Sequence, residues 1–379
     1  MKVTITRQTL LSHLKSMVRV VPKSSAVMEL KGILIECDED DGHIKLTATN
    51  LETTIQRRFK VNIEEGGSFV VAAAMFHNII SLLSGEEVVI EQKREGVLSI
   101  ASGTCKYTIP VLNARNYPRV PVPFPDDIIK VKGICSIYAK TALAVASEKV
   151  HFAMSGIHLD VYSDAVRAVA CDMTRMAMTE VDCDCGGKLS VTIPTQPFYY
   201  LANAVNDSDE VVMGICDNSI VFMKAGMVFA TKYISEPYLD VSRLTEPAIR
   251  KNIAAIKAAD LHRVIETVST IASIGSDTVP VEVKITEKGL DFKIESVEAT
   301  SKQSITAEVR DMAGSTFYYP PKALAEAMKV IKGDALLEMA ANGMMYLSDA
   351  KSMYMLMSTK KRSVNKKKQS KGAKAKKAA

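Results

Sequence analysis

Apolar residues near the amino terminus recur with the period of a helix. Over residues 8–21 they form a single stripe, with a polar and partly basic stripe opposite: the apolar positions are Leu10, Leu11, Leu14, Met17, Val18 and Val21. A two-sided pattern of this kind predicts an amphipathic helix that buries one face. The polar stripe contains Lys15 and Arg19, so we expect both side chains to point away from the core.

The same arrangement occurs three times along the chain. Short apolar strands at 69–71, 191–193 and 317–319 each precede a predicted helix, and their last residues are 122 and 126 positions apart. A period of this length is that of a whole domain and not of a solenoid repeat. The sequence therefore predicts an α+β fold of three tandem domains, each with two helices packed on an antiparallel sheet.

Linker composition suggests where these domains end. We expect domains over residues 1–123, 128–246 and 250–360, followed by a disordered basic tail over 361–379. Pro118, Pro121, Pro123 and Pro125 predict an extended linker after the first domain. If the domains join edge to edge, their sheets run on continuously, and closure into a ring leaves no exposed edge strand.

Composition narrows the class of protein. Apolar residues make up 47% and charged residues 24% of the 379 positions, which is typical of a soluble globular protein. No apolar run approaches the roughly 20 residues of a membrane span, and the amino terminus lacks a signal-peptide core. Seven scattered cysteines fit reduced thiols in a cytoplasm. We therefore expect no membrane association.

Charge is distributed unevenly. Residues 360–379 hold ten Lys or Arg and no acid, whereas the remaining chain holds 38 basic and 43 acidic side chains and has a net charge of −5. A segment of this composition has nothing apolar to bury. Two interpretations stay open: weak, sequence-blind attraction to phosphates, or a solubilising tail without a specific partner.

Five stretches resemble the bacterial sliding clamp family, the beta subunit of the replicative DNA polymerase III. They lie in order at 46–52, 154–157, 170–177, 229–240 and 354–357, and they include Leu46-Thr47-Ala48-Thr49-Asn50-Leu51-Glu52 and Ala170-Cys171-Asp172-Met173-Thr174-Arg175-Met176-Ala177. The resemblance implies a homodimer whose six domains close a ring around duplex DNA. It also implies a DNA polymerase and a clamp loader as partners, no cofactor, and a nucleoid-associated cytoplasmic location.

In this family, helices line the hole of the ring, where basic residues would attract phosphates without reading bases. The positions expected to face DNA are Lys15, Arg19, Lys23, Lys140, Lys149, Arg263, Lys322 and Lys329. Exposed helix faces commonly carry lysine in any protein, so the set is more informative than any one member.

The family also has a hydrophobic cleft in which partners dock a short peptide. The resemblance assigns this cleft to Met154, Cys171, Met173, Thr174, Arg175, Met176, Met355, Met357, Ser358 and Thr359. Methionines would make it adaptable, although strand methionines also occur as ordinary core. Met173-Thr174 replaces the family's Gly-His and Ser358-Thr359 its Pro-Met, so we expect an altered ligand preference. The basic tail would begin beside this cleft and touch DNA or compete at its rim.

Other classes of protein find little support. Six scattered histidines and the absence of a P-loop or a G-x-S-x-G motif argue against an enzyme, so we expect neither catalytic residues nor a metal site. Cys183 and Cys185 form a lone C-x-C pair, too few ligands for structural zinc. The alternative that remains is a monomeric clamp-like scaffold that does not encircle DNA.

Overall fold

The structure, a computed structural model, describes residues 1–40, 42–147, 151–272, 279–296 and 299–361. Within them the α-helices are α1 (Arg7–Val20), α2 (Ala73–Leu82), α3 (Ile134–Thr141), α4 (Thr195–Ala202), α5 (Ser242–Thr245), α6 (Ala258–Ala272) and α7 (Pro321–Val330). Lys149 and residues 362–379 lie outside the described residues, so the expectations for Lys149 and for the tail beyond Lys361 are not addressed by the structure.

The strands of the first half of the chain are β1 (Lys2–Thr6), β2 (Gly32–Asp38), β3 (His43–Thr49), β4 (Thr53–Lys60), β5 (Asn62–Glu65), β6 (Gly67–Ala72), β7 (Glu87–Arg94), β8 (Val97–Ser102), β9 (Cys105–Pro110), β10 (Ile129–Val131), β11 (Gly156–Val161), β12 (Ala165–Cys171) and β13 (Arg175–Asp182).

Those of the second half are β14 (Leu189–Pro194), β15 (Val211–Cys216), β16 (Ser219–Lys224), β17 (Met227–Lys232), β18 (Arg250–Lys257), β19 (Val281–Thr286), β20 (Gly289–Glu295), β21 (Thr300–Thr306), β22 (Thr316–Tyr319), β23 (Asp334–Ala340), β24 (Met345–Ser348) and β25 (Ser352–Leu356). Helices and antiparallel strands alternate through the chain, which confirms the α+β class.

The chain divides into two compact units. The first contains Met1–Tyr138, Leu159–Val166 and Asp182–Glu236, and the second contains Ala139–His158, Arg167–Val181 and the described residues from Pro237 onward. The three domain limits expected from the sequence stay predictions beside this division.

In the first unit, one sheet has the strand order β5-β1-β7-β8-β9 and another has the order β10-β15-β16-β17-β4-β3-β2-β6. Helices α1 and α2 contact each other, and α1 buries Leu10, Leu14 and Met17 as its apolar stripe predicts. Strand β4 pairs antiparallel with β17 from Thr53 opposite Thr231 to Arg57 opposite Met227. We call this β4–β17 pair the first seam; it joins strands that belong to different sequence repeats.

In the second unit, six neighbouring strands follow the order β12-β13-β25-β24-β23-β18, and a smaller sheet follows β21-β20-β19-β22. Helices α6 and α7 contact each other, like α1 and α2 in the first unit. Strand β13 pairs antiparallel with β25, from Arg175 opposite Leu356 to Thr179 opposite Ser352. We call this β13–β25 pair the second seam. Edge-to-edge joining of strands from different repeats thus occurs in each unit.

One helix is shorter than its pattern predicts. Apolar spacing favours a helix over 134–147, but α3 ends at Thr141 and a short 3-10 turn covers Ala142–Ala144. The chain then extends so that the Ala146 N–H donates to the Met154 carbonyl over 3.1 Å. Burial of Ala146 among neighbouring side chains outweighs the local helical preference.

Candidate functional site

A tight turn at Asp172 connects β12 to the second seam. The Asp172 carboxylate accepts hydrogen bonds from the backbone N–H of Thr174 over 2.7 Å and of Arg175 over 2.9 Å. It also accepts one from the Thr174 hydroxyl over 2.8 Å. An aspartate that binds its own backbone in this way fixes the turn locally, because it replaces bonds that a strand would otherwise make.

The second seam brings together the two halves of the predicted cleft. Met176 lies opposite Met355 in the strand register. Beyond the end of β25, the Met357 N–H donates to the Thr174 carbonyl over 2.8 Å. Segments that are about 180 positions apart in the sequence therefore meet at one end of one strand pair.

A group of apolar and sulfur-bearing side chains packs beneath this turn, and we call it the sulfur cluster. Its buried members are Ala146, Met154, Val169, Cys171, Met176, Ala340, Tyr346 and Met355, with Met178, Tyr238, Val241, Leu244, Met344 and Met353 partly buried against them. Thioethers are flexible and polarizable, so a cluster of this composition can adapt its packing to an apolar ligand.

The predicted cleft residues divide by exposure. Four of them are at most 4% exposed and belong to the sulfur cluster: Met154, Cys171, Met176 and Met355. Met173 is 66% exposed and Met357 is 41% exposed. Thr174 and Thr359 are exposed, whereas Arg175 and Ser358 are half-buried. The predicted cleft residues thus comprise four buried members of the sulfur cluster and two exposed methionines, Met173 and Met357, each two positions from a cluster member in sequence.

Arg175 is held in place by two carboxylates. Its Nε lies 2.9 Å from an Asp172 carboxylate oxygen, and its Nη1 pairs with Glu326 of α7. Charge-assisted bonds on both sides of the guanidinium fix its orientation. Arg175 is thus positioned by the protein and presents only part of its hydrogen-bonding capacity to a ligand.

Sequence reasoning did not assign Tyr238 to the site. The Tyr238 hydroxyl accepts a hydrogen bond from the Cys171 N–H over 3.0 Å and lies 3.4 Å from the Cys171 Sγ. Its ring stacks on His158 with centroids 4.8 Å apart. Burial raises the pKa of the Cys171 thiol, so this cysteine stays protonated and packs as a small apolar group. The signal for Tyr238 in the sequence was its place in the stretch 229–240, which carries part of the family resemblance.

The predicted DNA-facing residues differ in their surroundings. Five of the described ones are exposed: Lys15, Lys23, Arg263, Lys322 and Lys329. Arg263 pairs with Asp260 on its own helix over 3.3 Å, an exposed interaction of small energy. The exposed set is available to a polyanion.

Arg19 and Lys140 are half-buried and already have protein partners. The Arg19 Nη1 donates to the Tyr199 hydroxyl of α4 over 2.6 Å, and its guanidinium carbon lies 5.4 Å from the centre of that ring. The Lys140 Nζ donates to the Ser352 hydroxyl over 2.7 Å. Arg19 therefore helps to join α1 to α4 within the first unit, in addition to any role toward a ligand.

The described residues contain neither a metal-ligand cluster nor a membrane-spanning helix. No group of three or more His, Cys, Asp or Glu side chains is placed to hold a metal ion in this part of the chain. Similarly, no helix in the described ranges is long and apolar enough to cross a membrane.

Comparison with known proteins gives the class to which this fold belongs. Residues 1–121 match the family model of the DNA polymerase III beta subunit, N-terminal domain, and residues 129–240 match that of its central domain. Together these matches cover more than half of the chain. The chain belongs to the DNA polymerase III beta subunit family, as the sequence resemblance indicated.

Individual relatives agree with this assignment. The beta sliding clamp of Bacillus subtilis is 24% identical over 359 residues, which cover 88% of this chain and 91% of that protein. A solved DNA polymerase III beta subunit from Thermotoga maritima superposes with a TM-score of 0.86 at 17% identity, covering 95% of this chain and all of that one. A DnaN sliding clamp from Pseudomonas aeruginosa, solved bound to griselimycin, gives 0.83 at 19% identity, covering 95% of this chain and 99% of that one.

Proposed function

We propose that this chain is a DNA sliding clamp. Two copies close a ring around duplex DNA, and a DNA polymerase and other partners dock at the sulfur cluster and the turn above it. The observation that carries the docking proposal is the second seam, which joins the turn at Asp172 to the carboxyl-terminal residues over one apolar floor. Family membership and the match to solved clamps over 95% of the chain support the clamp itself.

Binding to DNA in this proposal is electrostatic and independent of sequence. Exposed cations lie on helices of both units or near their ends, including Lys15 of α1 and Lys322 and Lys329 of α7. Cations that face a duplex release its condensed counterions, and such binding weakens as salt concentration rises. Phosphate contacts of this kind position a protein without selecting a sequence, which is what movement along DNA requires.

Dimer formation is proposed from strands at sheet edges. Among the described strands, β9 ends the five-stranded sheet of the first unit and β21 ends the four-stranded sheet of the second. An edge strand has a row of backbone donors and acceptors available for another chain. If β9 of one copy pairs with β21 of the other, the backbone donors and acceptors of both strands are hydrogen-bonded. Two such pairings close a two-chain ring, to which each copy contributes one β9 and one β21.

The mechanism needs no catalytic group. A closed ring around DNA leaves only by opening, by loss of a subunit or by sliding off an end, so retention depends on topology more than on affinity. A clamp loader would open the ring to admit DNA. A partner docked at the sulfur cluster then shares that retention, since the local concentration of a tethered molecule greatly exceeds its concentration in solution.

The decisive experiment combines mass and DNA topology. Light scattering on the purified protein should give a species near twice 41.3 kDa. After loading with a cognate loader, that species should stay on nicked circular DNA and be lost when the circle is linearised. A stable monomer that leaves circular and linear DNA equally fast would contradict the ring and support the monomeric scaffold.

A further inference from the structure

Four methionines of the described chain are conspicuously exposed. Met28 is 60% and Met75 is 44% exposed in the first unit, and Met173 is 66% and Met357 is 41% exposed in the second. The methionines buried in the sulfur cluster, Met154, Met176 and Met355, are at most 4% exposed. Chemical attack on thioethers follows exposure, so these two groups should react at very different rates.

Two of the exposed methionines lie together at the candidate site. Met173 occupies the turn that the Asp172 carboxylate fixes, and the Met357 N–H donates to the carbonyl of the next residue, Thr174. Both thioethers therefore belong to the end of the second seam, next to the sulfur cluster. Met28 and Met75 belong to the first unit, whereas this seam belongs to the second.

The first seam has a turn with a similar hydrogen-bond pattern and no sulfur, although its Leu51 has a φ of 77° and Met173 is not among the residues with positive φ. There the Asn50 side chain accepts hydrogen bonds from the N–H groups of Glu52 and Thr53, and the Lys232 N–H donates to the Glu52 carbonyl. Leu51 takes the place of Met173, and Lys232 takes the place of Met357. A leucine thus fills this turn position within the same chain, at 50% exposure. The hydrogen bonds of such a turn therefore form without a methionine at this position.

We propose that Met173 and Met357 form an oxidant-responsive modification site that controls ligand docking at the sulfur cluster. This rests on the proposed docking function. The oxidant is a peroxide, and the product is methionine sulfoxide at one or both positions.

The chemistry is a two-electron oxygen transfer. The thioether sulfur attacks one oxygen of hydrogen peroxide, an S–O bond forms and the O–O bond breaks. The departing oxygen takes a proton and leaves as water; the sulfur is oxidised and the peroxide reduced. The sulfoxide is polar and loses apolar contacts with a ligand, and methionine sulfoxide reductases return it to the thioether. Because the sulfur cluster is buried, its packing is kept when Met173 and Met357 are oxidised. The oxidation is therefore reversible without unfolding.

The test uses the full chain and griselimycin, the compound present in two of the solved clamps, as the probe. Protein is treated with hydrogen peroxide, oxidation at each methionine is followed by peptide mass spectrometry, and griselimycin binding is measured by calorimetry before and after. The M173L/M357L variant removes both sulfurs of the site. M28L/M75L is the matched control, because it removes two sulfurs of similar exposure elsewhere.

We expect oxidation to weaken griselimycin binding about tenfold in the unsubstituted protein and in M28L/M75L, and less than twofold in M173L/M357L. Reductase treatment should restore the original affinity. An equal loss in M173L/M357L, or oxidation of the buried Met154, Met176 and Met355 as fast as of Met173, would overturn the inference. Unchanged binding after complete oxidation of Met173 and Met357 would overturn it while leaving the docking function intact. If the untreated protein does not bind griselimycin, docking at this site and its control by oxidation both fail.

Discussion

The two seams of this protein share a hydrogen-bond pattern at their turns but differ in side chains and in backbone conformation, since Leu51 has a φ of 77° and Met173 is not among the residues with positive φ. At each one, a side-chain carboxylate or amide oxygen fixes a turn, and the strand after the turn pairs with a strand from another repeat. A tyrosine hydroxyl then accepts a buried backbone N–H: Tyr117 accepts that of Thr49 in the first unit, as Tyr238 accepts that of Cys171 in the second.

Side chains at the seams diverge. The first seam is polar, with the Thr53 and Thr231 hydroxyls 2.9 Å apart and the buried Arg57 donating to the Ala204 carbonyl over 2.7 Å. Burial, followed by the charges of Arg57 and Lys224, lowers the pKa of nearby His13 to about 4, so its imidazole is neutral at physiological pH. The second seam also has a buried hydroxyl pair, Thr179 and Ser352, with oxygens 3.0 Å apart, but it is rich in sulfur where Met176 lies opposite Met355. The two seams therefore share a pattern of hydrogen bonds and differ in the side chains around it.

Removing the buried charge of Arg57 from the first seam should lower the free energy of unfolding more than any other change proposed below. Arg57→Ala leaves the Ala204 carbonyl without its buried donor and removes one of two positive charges near Asp209, which keeps its ion pair with Lys224, so we expect a loss of about 3 kcal/mol in the free energy of unfolding. Thr179→Ala, at the equivalent register position of the second seam, should cost about 1 kcal/mol. Urea unfolding measures both, with exposed Lys60→Ala as the control. Equal losses for Arg57 and Thr179 would show that the guanidinium is not a special support of the first seam.

Removing the two tyrosine hydroxyls tests whether the hydrogen bonds that they accept contribute equally to stability and to ligand binding. Tyr117→Phe and Tyr238→Phe each leave one buried N–H unpaired, and each should cost about 2 kcal/mol of unfolding free energy. Only Tyr238→Phe should alter griselimycin affinity in calorimetry, since only that hydroxyl lies at the sulfur cluster. A change in affinity with Tyr117→Phe would mean that the two seams do not act separately.

Charging the two turns sharpens the functional difference. Met173→Asp should weaken griselimycin binding about tenfold, which corresponds to about 1.4 kcal/mol, because a carboxylate next to an apolar site resists desolvation. Leu51→Asp places the same charge at the equivalent turn and should leave binding unchanged. Both side chains are exposed, but Leu51 has a φ of 77°, a region that aspartate adopts more readily than leucine, so urea unfolding of both variants accompanies the binding measurement. If both substitutions weaken binding alike, docking is not confined to the second seam.

The hydroxyl pair of the first seam should have the smallest effect. Thr53→Val or Thr231→Val alone leaves one buried hydroxyl without its partner and should cost about 1 kcal/mol. The double variant should cost less than the sum of the two, because replacing both partners leaves no unpaired group. A double-mutant cycle by urea unfolding gives the coupling energy. Strict additivity would indicate that the two hydroxyls do not interact.

The sequence predicted the repeating elements well because they follow apolar periodicity. Helix α1 begins one residue before the predicted stripe over 8–21, and α2, α4 and α7 each begin two residues after the predicted strands at 69–71, 191–193 and 317–319. The shortened end of α3 could not be predicted, because it depends on the packing of Ala146 in the sulfur cluster. The burial of Arg57 could not be predicted either, because an arginine in a strand is normally exposed and the hydrogen-bond partners of Arg57 are distant in sequence.

For the site, family resemblance supplied the residues and the strand register brought together those on the second seam. It did not assign Tyr238, Val241 and Leu244 to the site, because Tyr238 and Val241 lie outside regular elements and Leu244 lies in the four-residue helix α5, which is too short to show a periodicity. Tyr117 and Tyr238, whose hydroxyls accept these backbone N–H groups, each adjoin a proline after the last strand of their repeats, which is the one sequence feature that they share. The roles assigned to individual cleft and DNA-facing residues stay predictions.

Because of the first seam, the proline-containing linker is not the sole connection between the first two repeats. Arg119 and Val120 lie between the two repeats that β4 and β17 join, and the ladder holds those repeats together with the Arg57 and Arg19 contacts. A single cut of the peptide bond between Arg119 and Val120 should therefore give two fragments that travel as one particle until they are denatured. Once the protein is folded, an intact peptide bond at this position is not needed to hold the two repeats together. It matters during folding, because two repeats on one chain meet by loop closure and not by the association of two separate molecules.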